Sequence, residues 1–264
     1  MGHDSRAAVR TVRAPPTTHP CRQLDSHLTP TGTQLPWFNW QALGKPSSDR
    51  AERVSVSVMP TVEVFADVCC PFAHVGLRLL AVRRNQLGRV DLQIRVRAWP
   101  LELVNGSPLD PAVVAEEVDE LKHLAAPFAH FDPTRFPSTS LPALDLAELA
   151  YQEGLDVGER VSLALRNALF EDGLDIGEPS VVRRVGDAFG LVAPGPGERE
   201  AVLRDWHSGK ERGVEGSPHF FCGVQSAFCP SLDIAKHDGR LRVTVDRQAL
   251  DAFLANCSDD WRPH

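Results

Sequence analysis

Asp67-Val68-Cys69-Cys70-Pro71-Phe72-Ala73-His74-Val75-Gly76 joins two stretches of different periodicity. On its N-terminal side, Thr61 to Asp67 carries Val62, Val64 and Phe65 in a short β-rich run. On its C-terminal side, Phe72, Val75, Leu79 and Val82 recur at helical spacing until Gly88, a suitable stop. Val90, Leu92, Ile94, Val96 and Ala98 then alternate with Asp91, Gln93, Arg95 and Arg97, the period-2 pattern of a strand with one buried face. The order is strand, helix, strand. A cysteine at the strand-to-helix junction offers its sulfur to the first free N–H groups of the helix, and these, with the dipole, favour the thiolate. Pro71 suits the first helical position, where no N–H bond is lost. Cys70 is therefore predicted as a nucleophile with a lowered pKa, the plain alternative being a buried, inert thiol.

Pro100 and the turn Asn105-Gly106-Ser107-Pro108 close this unit, and a long helical stretch follows. Leu144 to Glu153, Val157 to Phe170 and Pro179 to Phe189 hold apolar residues at helical spacing, with Gly154, Gly173 and Gly190 at stops. A further amphipathic helix, Glu198 to Lys210, turns Val202 and Trp206 inward and leads to Gly213-Val214-Glu215-Gly216-Ser217-Pro218. Strands are predicted at His219 to Cys222 and Leu241 to Val245, and Asp246 caps a last helix carrying Leu250, Phe253 and Leu254. This order predicts an α/β chain of thioredoxin-like fold with an all-helical insertion. Its boundaries are a disordered N-terminal extension at 1–58, a first half of the domain at 59–104, the insertion at 105–196, a second half at 197–257 and a tail at 258–264.

The chain has 264 residues and a net charge of -7, without a long basic block, so nucleic acid is not an expected partner. No run approaches the roughly 20 apolar residues of a membrane-spanning helix. Residues 1–58 are set apart by seven basic against four acidic residues and by six prolines, and they show no sustained period. They lack the apolar stretch of a secretory signal, and their Arg-rich start is only faintly like an organellar transit peptide, so a cytoplasmic location is expected. Trp37-Phe38-Trp40 reads as part of a loosely attached tail, and Met59-Pro60 stands where an alternative start would fit.

Six cysteines, at 21, 69, 70, 222, 229 and 257, match neither paired zinc-binding blocks nor a small disulfide scaffold, so no metal is expected. Cys222 and Cys229 flank Gly223-Val224-Gln225-Ser226, a hairpin connection, and are expected as two separate thiols, with a bridge across the hairpin as the alternative.

The segment 67–76 resembles the active-site segment of the DsbA-like thioredoxin-fold family, in particular its FrnE-like branch. Leu169-Phe170-Glu171-Asp172-Gly173-Leu174-Asp175-Ile176-Gly177-Glu178 is similar to that branch's helical insertion, and 213–220 to its segment with a cis proline facing the active cysteine. The resemblance implies thiol-disulfide chemistry at Cys70, with Pro71, Phe72, Ser217, Pro218 and His219 against the substrate. His74, one turn into the helix, and His219, after the proline, are both placed to approach Cys70 and shuttle a proton, the alternative being plain polar neighbours. Ala73, however, stands where the family has its second cysteine, so the internal disulfide cycle cannot run. Three routes remain: an external small thiol such as glutathione resolves Cys70, another cysteine such as Cys69 or Cys222 does, or the chemistry is not redox. For the last, the chain also resembles 2-hydroxychromene-2-carboxylate isomerases and kappa-class glutathione transferases, in which the helix N-terminus stabilises a bound thiolate. The expected partners are a thiol or disulfide substrate or a small aromatic molecule. No tightly bound cofactor is expected, and a homodimer is compatible with this reading. A catalytically retired binding module is the remaining class.

Overall fold

β1 (Thr61–Ala66) forms where Val62, Val64, Phe65 and Ala66 all reach the interior. It runs inside a sheet with β2 (Gln93–Ala98), β3 (His219–Cys222) and β4 (Gln225–Phe228), in the order β2-β1-β3-β4. The computed structural model describes residues 59–257 apart from Pro196, Glu198 and Gly239, so the predicted extension 1–58 and tail 258–264 lie outside the described residues. β1 and β2 are parallel, with Val62 beside Ile94 and Val64 beside Val96, and α1 (Pro71–Gln86) is their crossover. β3 is antiparallel to β1, with Val64 opposite Phe220, and antiparallel again to β4. Gly88, at φ +65°, follows the end of α1 as predicted. Val90 was predicted to begin β2, but it is 89% exposed, because Val90 and Asp91 turn before the strand starts.

β2 is an edge strand whose outer amides are taken by side chains. The Tyr151 hydroxyl accepts from Val96 N–H at 2.8 Å, and Asp205 Oδ2 accepts from Ala98 N–H at 3.0 Å. Its polar face is covered rather than solvated: Arg95 pairs with Glu148 at 2.6 Å and lies 4.2 Å over the Tyr151 ring, and Arg97 pairs with Asp205 at 2.8 Å.

Between the two halves of the sheet stand α2 (Leu101–Asn105), α3 (Pro111–Leu121), a 3-10 turn at Pro133–Arg135, α4 (Leu141–Glu153), α5 (Leu155–Phe170) and α6 (Pro179–Ala188). Leu144, Leu146, Val161, Leu165, Leu169, Phe170 and Ile176 fill the core of this helical block. α7 (Glu200–Glu211) lies close on the other face of the sheet. A Cβ added at Gly209 would stand 2.5 Å from the Trp99 ring, so only glycine permits the approach. β5 (Leu232–His237) and β6 (Arg240–Val245) form a separate hairpin, and α8 (Arg247–Ala255) follows, with Asp246 accepting from Ala249 N–H at 2.8 Å.

The expectation for Cys222 and Cys229 needs correction. In the β3–β4 hairpin Cys222 lies next to the turn, opposite Gln225, whereas Cys229 lies past the far end, its N–H on Pro218 O. Cys222 is bonded instead to Cys257, just beyond α8, and Cys229 is a free, buried thiol.

Candidate active site

Cys70 is the N-cap residue of α1, as predicted, with Pro71 opening the helix. The β1–α1 junction is held by Asp67. Its Oδ1 accepts from Cys69 N–H at 2.8 Å, its Oδ2 from Leu101 N–H at 2.6 Å and from the Ser140 hydroxyl at 3.2 Å. Its own N–H donates to Ser217 Oγ at 3.0 Å, which docks the loop before β3 onto the loop after β1. Both carboxylate oxygens are thus committed to positioning, so Asp67 is a buried acid and a turn former at once. Burial raises its pKa, and the N–H groups of Cys69 and Leu101 work against the rise.

The Cys70 thiol donates to Ser217 O at 3.2 Å, and the Ser217–Pro218 peptide bond is cis. The Ser217 carbonyl is therefore occupied by the thiol. The Cys70 side chain makes no capping hydrogen bond to the first turn of α1, although the Ala73 N–H favours its thiolate. Its pKa nonetheless moves opposite to the prediction. Cys70 is 3% exposed, and burial outweighs the Ser217 side chain and the Ala73 N–H, which favour the thiolate, and pushes the thiol up to about 11. Cys69 is buried with its pKa raised further by Asp67 and Glu102. It lines a small crevice with Asp67, Glu102, Phe136 and Ser140.

His74 does not reach the thiol through a hydrogen bond. Its Nε2 lies 2.9 Å from Glu171 Oε1, and its ring stacks on Phe170 at 5.0 Å and meets the edge of Phe128 at 5.3 Å. One turn into α1, the side chain points into the helical block, and burial lowers its pKa to about 4. Neutral His74 donates to a Glu171 carboxylate whose pKa is lowered, because His74, Arg78 and the Ala129 N–H outweigh its partial burial. His219 is also brought elsewhere. Successive β3 residues alternate between faces, so Phe220 packs with Cys70, Ala73 and Leu77 while His219 stacks on Phe221 at 4.7 Å on the opposite face. There Nδ1 accepts from Glu215 N–H and Nε2 lies 2.8 Å from Ser226 Oγ. Phe72 is partly buried between the core beneath the sheet and that of the helical block.

Two contributors escaped the sequence reading. Arg166, 1% exposed, reaches from α5 to the Asp67 carbonyl at 3.1 Å and to the Ser162 hydroxyl at 2.8 Å, and its charge is coupled to Asp67, Cys70 and Cys69. An arginine inside an apolar run, between Leu165 and Ala168, was the available signal. Ser231, fully buried, has an Oγ without a hydrogen-bond partner among the described residues and stands beside Gly76 and Pro218. Among the described residues no cluster of ligand side chains suits a metal ion, and no helix is long and apolar enough to cross a membrane.

The family model of the DSBA-like thioredoxin domain matches residues 61–241. No curated protein matches the chain. Among solved structures, the chain is similar to a probable DsbA oxidoreductase, SCO1869, from Streptomyces coelicolor, with 14% identity over 78% of this chain and 92% of that one, at a TM-score of 0.53. The cytosolic disulfide reductase DsbM from Pseudomonas aeruginosa matches with 19% identity over 74% and 97%, at a TM-score of 0.47. A 2-hydroxychromene-2-carboxylate isomerase matches with 17% identity over 64% and 88%, at a TM-score of 0.46.

Proposed function

Because the chain belongs to the family of DSBA-like thioredoxin domains, we propose that it is a cytoplasmic thiol-disulfide oxidoreductase acting through Cys70. The observation that carries this reading is the seat of Cys70: N-cap of α1, with the thiol proton on Ser217 O beside the cis Ser217–Pro218 bond. At neutral pH the resting group is the thiol. When its proton leaves, the sulfur can accept from the free amides of the first turn, and Ser217 O is released to accept from a substrate backbone. The thiolate attacks a disulfide and becomes a mixed disulfide. Ala73 offers no thiol to open it, and a low-molecular-weight thiol of the glutathione kind supplies the reducing equivalents.

The raised pKa of Cys70 favours a second reading. A sulfhydryl that stays protonated is a weak nucleophile but a sound hydrogen-bond donor to the thiolate of a bound external thiol, as an isomerase or transferase on a small aromatic molecule would need. Turnover of a small disulfide by glutathione separates the two in Cys70→Ser and Cys70→Ala. Exchange through Cys70 is lost in both variants. A donor role survives in Cys70→Ser and is lost in Cys70→Ala, and retention of disulfide turnover by Cys70→Ser overturns the exchange reading.

A further inference from the structure

Cys229, between β4 and β5, is fastened to the same dipeptide that holds Cys70. Its N–H donates to Pro218 O at 3.0 Å, while the Cys70 thiol donates to Ser217 O at 3.2 Å. Two cysteines thus grip successive carbonyls of Ser217-Pro218, each 3% exposed. Cys229 has φ +44°, in the left-handed region that disfavours a residue with a Cβ, and Leu232 N–H on its carbonyl helps to keep it there. The Cys229 sulfur also senses that of Cys70 through the dry interior. Burial, and then the charge of a Cys70 thiolate, push the Cys229 thiol up to about 12. The other described cysteines are engaged elsewhere: Cys222 is bonded to Cys257, and Cys69 lines the crevice beside Asp67 and Glu102.

We propose that Cys229 is the resolving thiol for Cys70, reached across Ser217-Pro218 rather than along α1. The inference rests on the exchange reading of Cys70 and places inside the chain the second thiol that Ala73 does not supply. First, the Cys70 thiolate attacks a disulfide RSSR′. Its S–S bond breaks, R′S⁻ leaves and takes up a proton, and Cys70 carries the R–S group. Second, the Cys229 thiolate attacks the Cys70 sulfur. The bond to R–S breaks, RS⁻ leaves and is protonated, and a Cys70–Cys229 disulfide forms. The two cysteines lose two electrons and two protons, and the substrate disulfide gains both to become two thiols. Two equivalents of the low-molecular-weight thiol then reduce the protein disulfide and are themselves joined as a disulfide.

The test is to expose the reduced, full-length chain to oxidised glutathione, quench in acid, alkylate the remaining thiols and map peptides without reduction. The wild type is expected to yield a peptide pair joined through Cys70 and Cys229, with Cys69 alkylated. Cys229→Ser is expected to accumulate glutathione on Cys70 to several times the wild-type level. Cys229→Gly, which suits the left-handed backbone, should do the same, so that the result does not depend on one variant's stability. If the wild type holds as much glutathione on Cys70 as both variants and its Cys229 is alkylated, the inference is overturned and the exchange reading stands. If Cys70 takes up no glutathione in any of the three and no joined pair forms, the exchange reading falls and the inference with it.

Discussion

A thiol at a helix N-terminus and a thiol in a dry interior are pulled in opposite directions, and at Cys70 the interior prevails. With its pKa pushed up to about 11 from an ordinary 9.0, the thiolate fraction at pH 8 is about a hundredfold smaller in the folded than in the unfolded chain. Alkylation of Cys70 at that pH, read by peptide mapping, should therefore be slowed to a similar degree by folding, and equal rates in the two states would refute the burial argument. His74 gives the converse case. Its pKa falls to about 4 from 6.5, so as pH drops through that window the unfolded chain takes up a proton that the folded chain refuses, and stability declines. The decline is about 3 kcal/mol between neutrality and pH 4. His74→Phe keeps an aromatic ring against Phe170 and Phe128 without a titrating group, so its unfolding free energy should fall less steeply over that range. An unchanged slope would mean that other groups carry the acid sensitivity.

At the scale of elements, the site depends on how closely α1 approaches the segment around Pro218 and Ser231. A Cβ at Gly76 would stand 3.0 Å from Ser231 Oγ, which would have to give by a few tenths of an ångström, and in ordinary contact at 3.4 Å from Pro218 Cγ. Gly76→Ala is expected to cost about 1–3 kcal/mol in denaturant titrations, the usual range for overfilling a packed interior. Adding Ser231→Ala removes the nearer obstacle, an oxygen that has no partner to lose among the described residues, so the double variant should recover part of that loss. Strict additivity in this cycle would show that the two positions do not press on one another. Much of this architecture is legible in the sequence because its causes are local. A short β-rich apolar run places β1, period-2 alternation places β2, Gly88 ends α1, and Asp246 caps α8. The face of a short strand is harder to read: all four residues of β3 are buried, so no alternation reveals that Phe220 rather than His219 faces Cys70. Arg166 is hidden for a similar reason, since its partner is the Asp67 carbonyl, 99 residues away.

Across the whole molecule, the sheet is assembled from two distant pieces of chain, and its closure on the C-terminal side runs through Cys222 and Cys257. That bond joins β3, at the centre of the sheet, to the second residue after α8, whose Leu250, Phe253 and Leu254 pack against Phe220 and the α1 side. Neither the spacing of the six cysteines nor any local pattern announces the pairing. It arises only when α8 returns to the sheet, which also explains why the hairpin suggested Cys229 as the alternative partner. Bridging 35 residues of sequence restricts the unfolded chain by about 4 kcal/mol at room temperature. Reduction should therefore lower the thermal midpoint of the wild type. Cys257→Ser should begin at the lower value and be insensitive to reductant, while Cys229→Ser, which leaves the bridge intact, should keep the wild-type response. A wild-type midpoint that does not move when mass mapping shows Cys222 and Cys257 reduced would mean that packing of α8 alone holds the C-terminal side of the sheet. In the reducing cytoplasm proposed for this chain the bridge would be under constant attack. The fraction of Cys222 bonded to Cys257 in protein alkylated directly in lysed cells therefore bears on location as well as on stability, and a largely intact bridge would count against the cytoplasmic assignment.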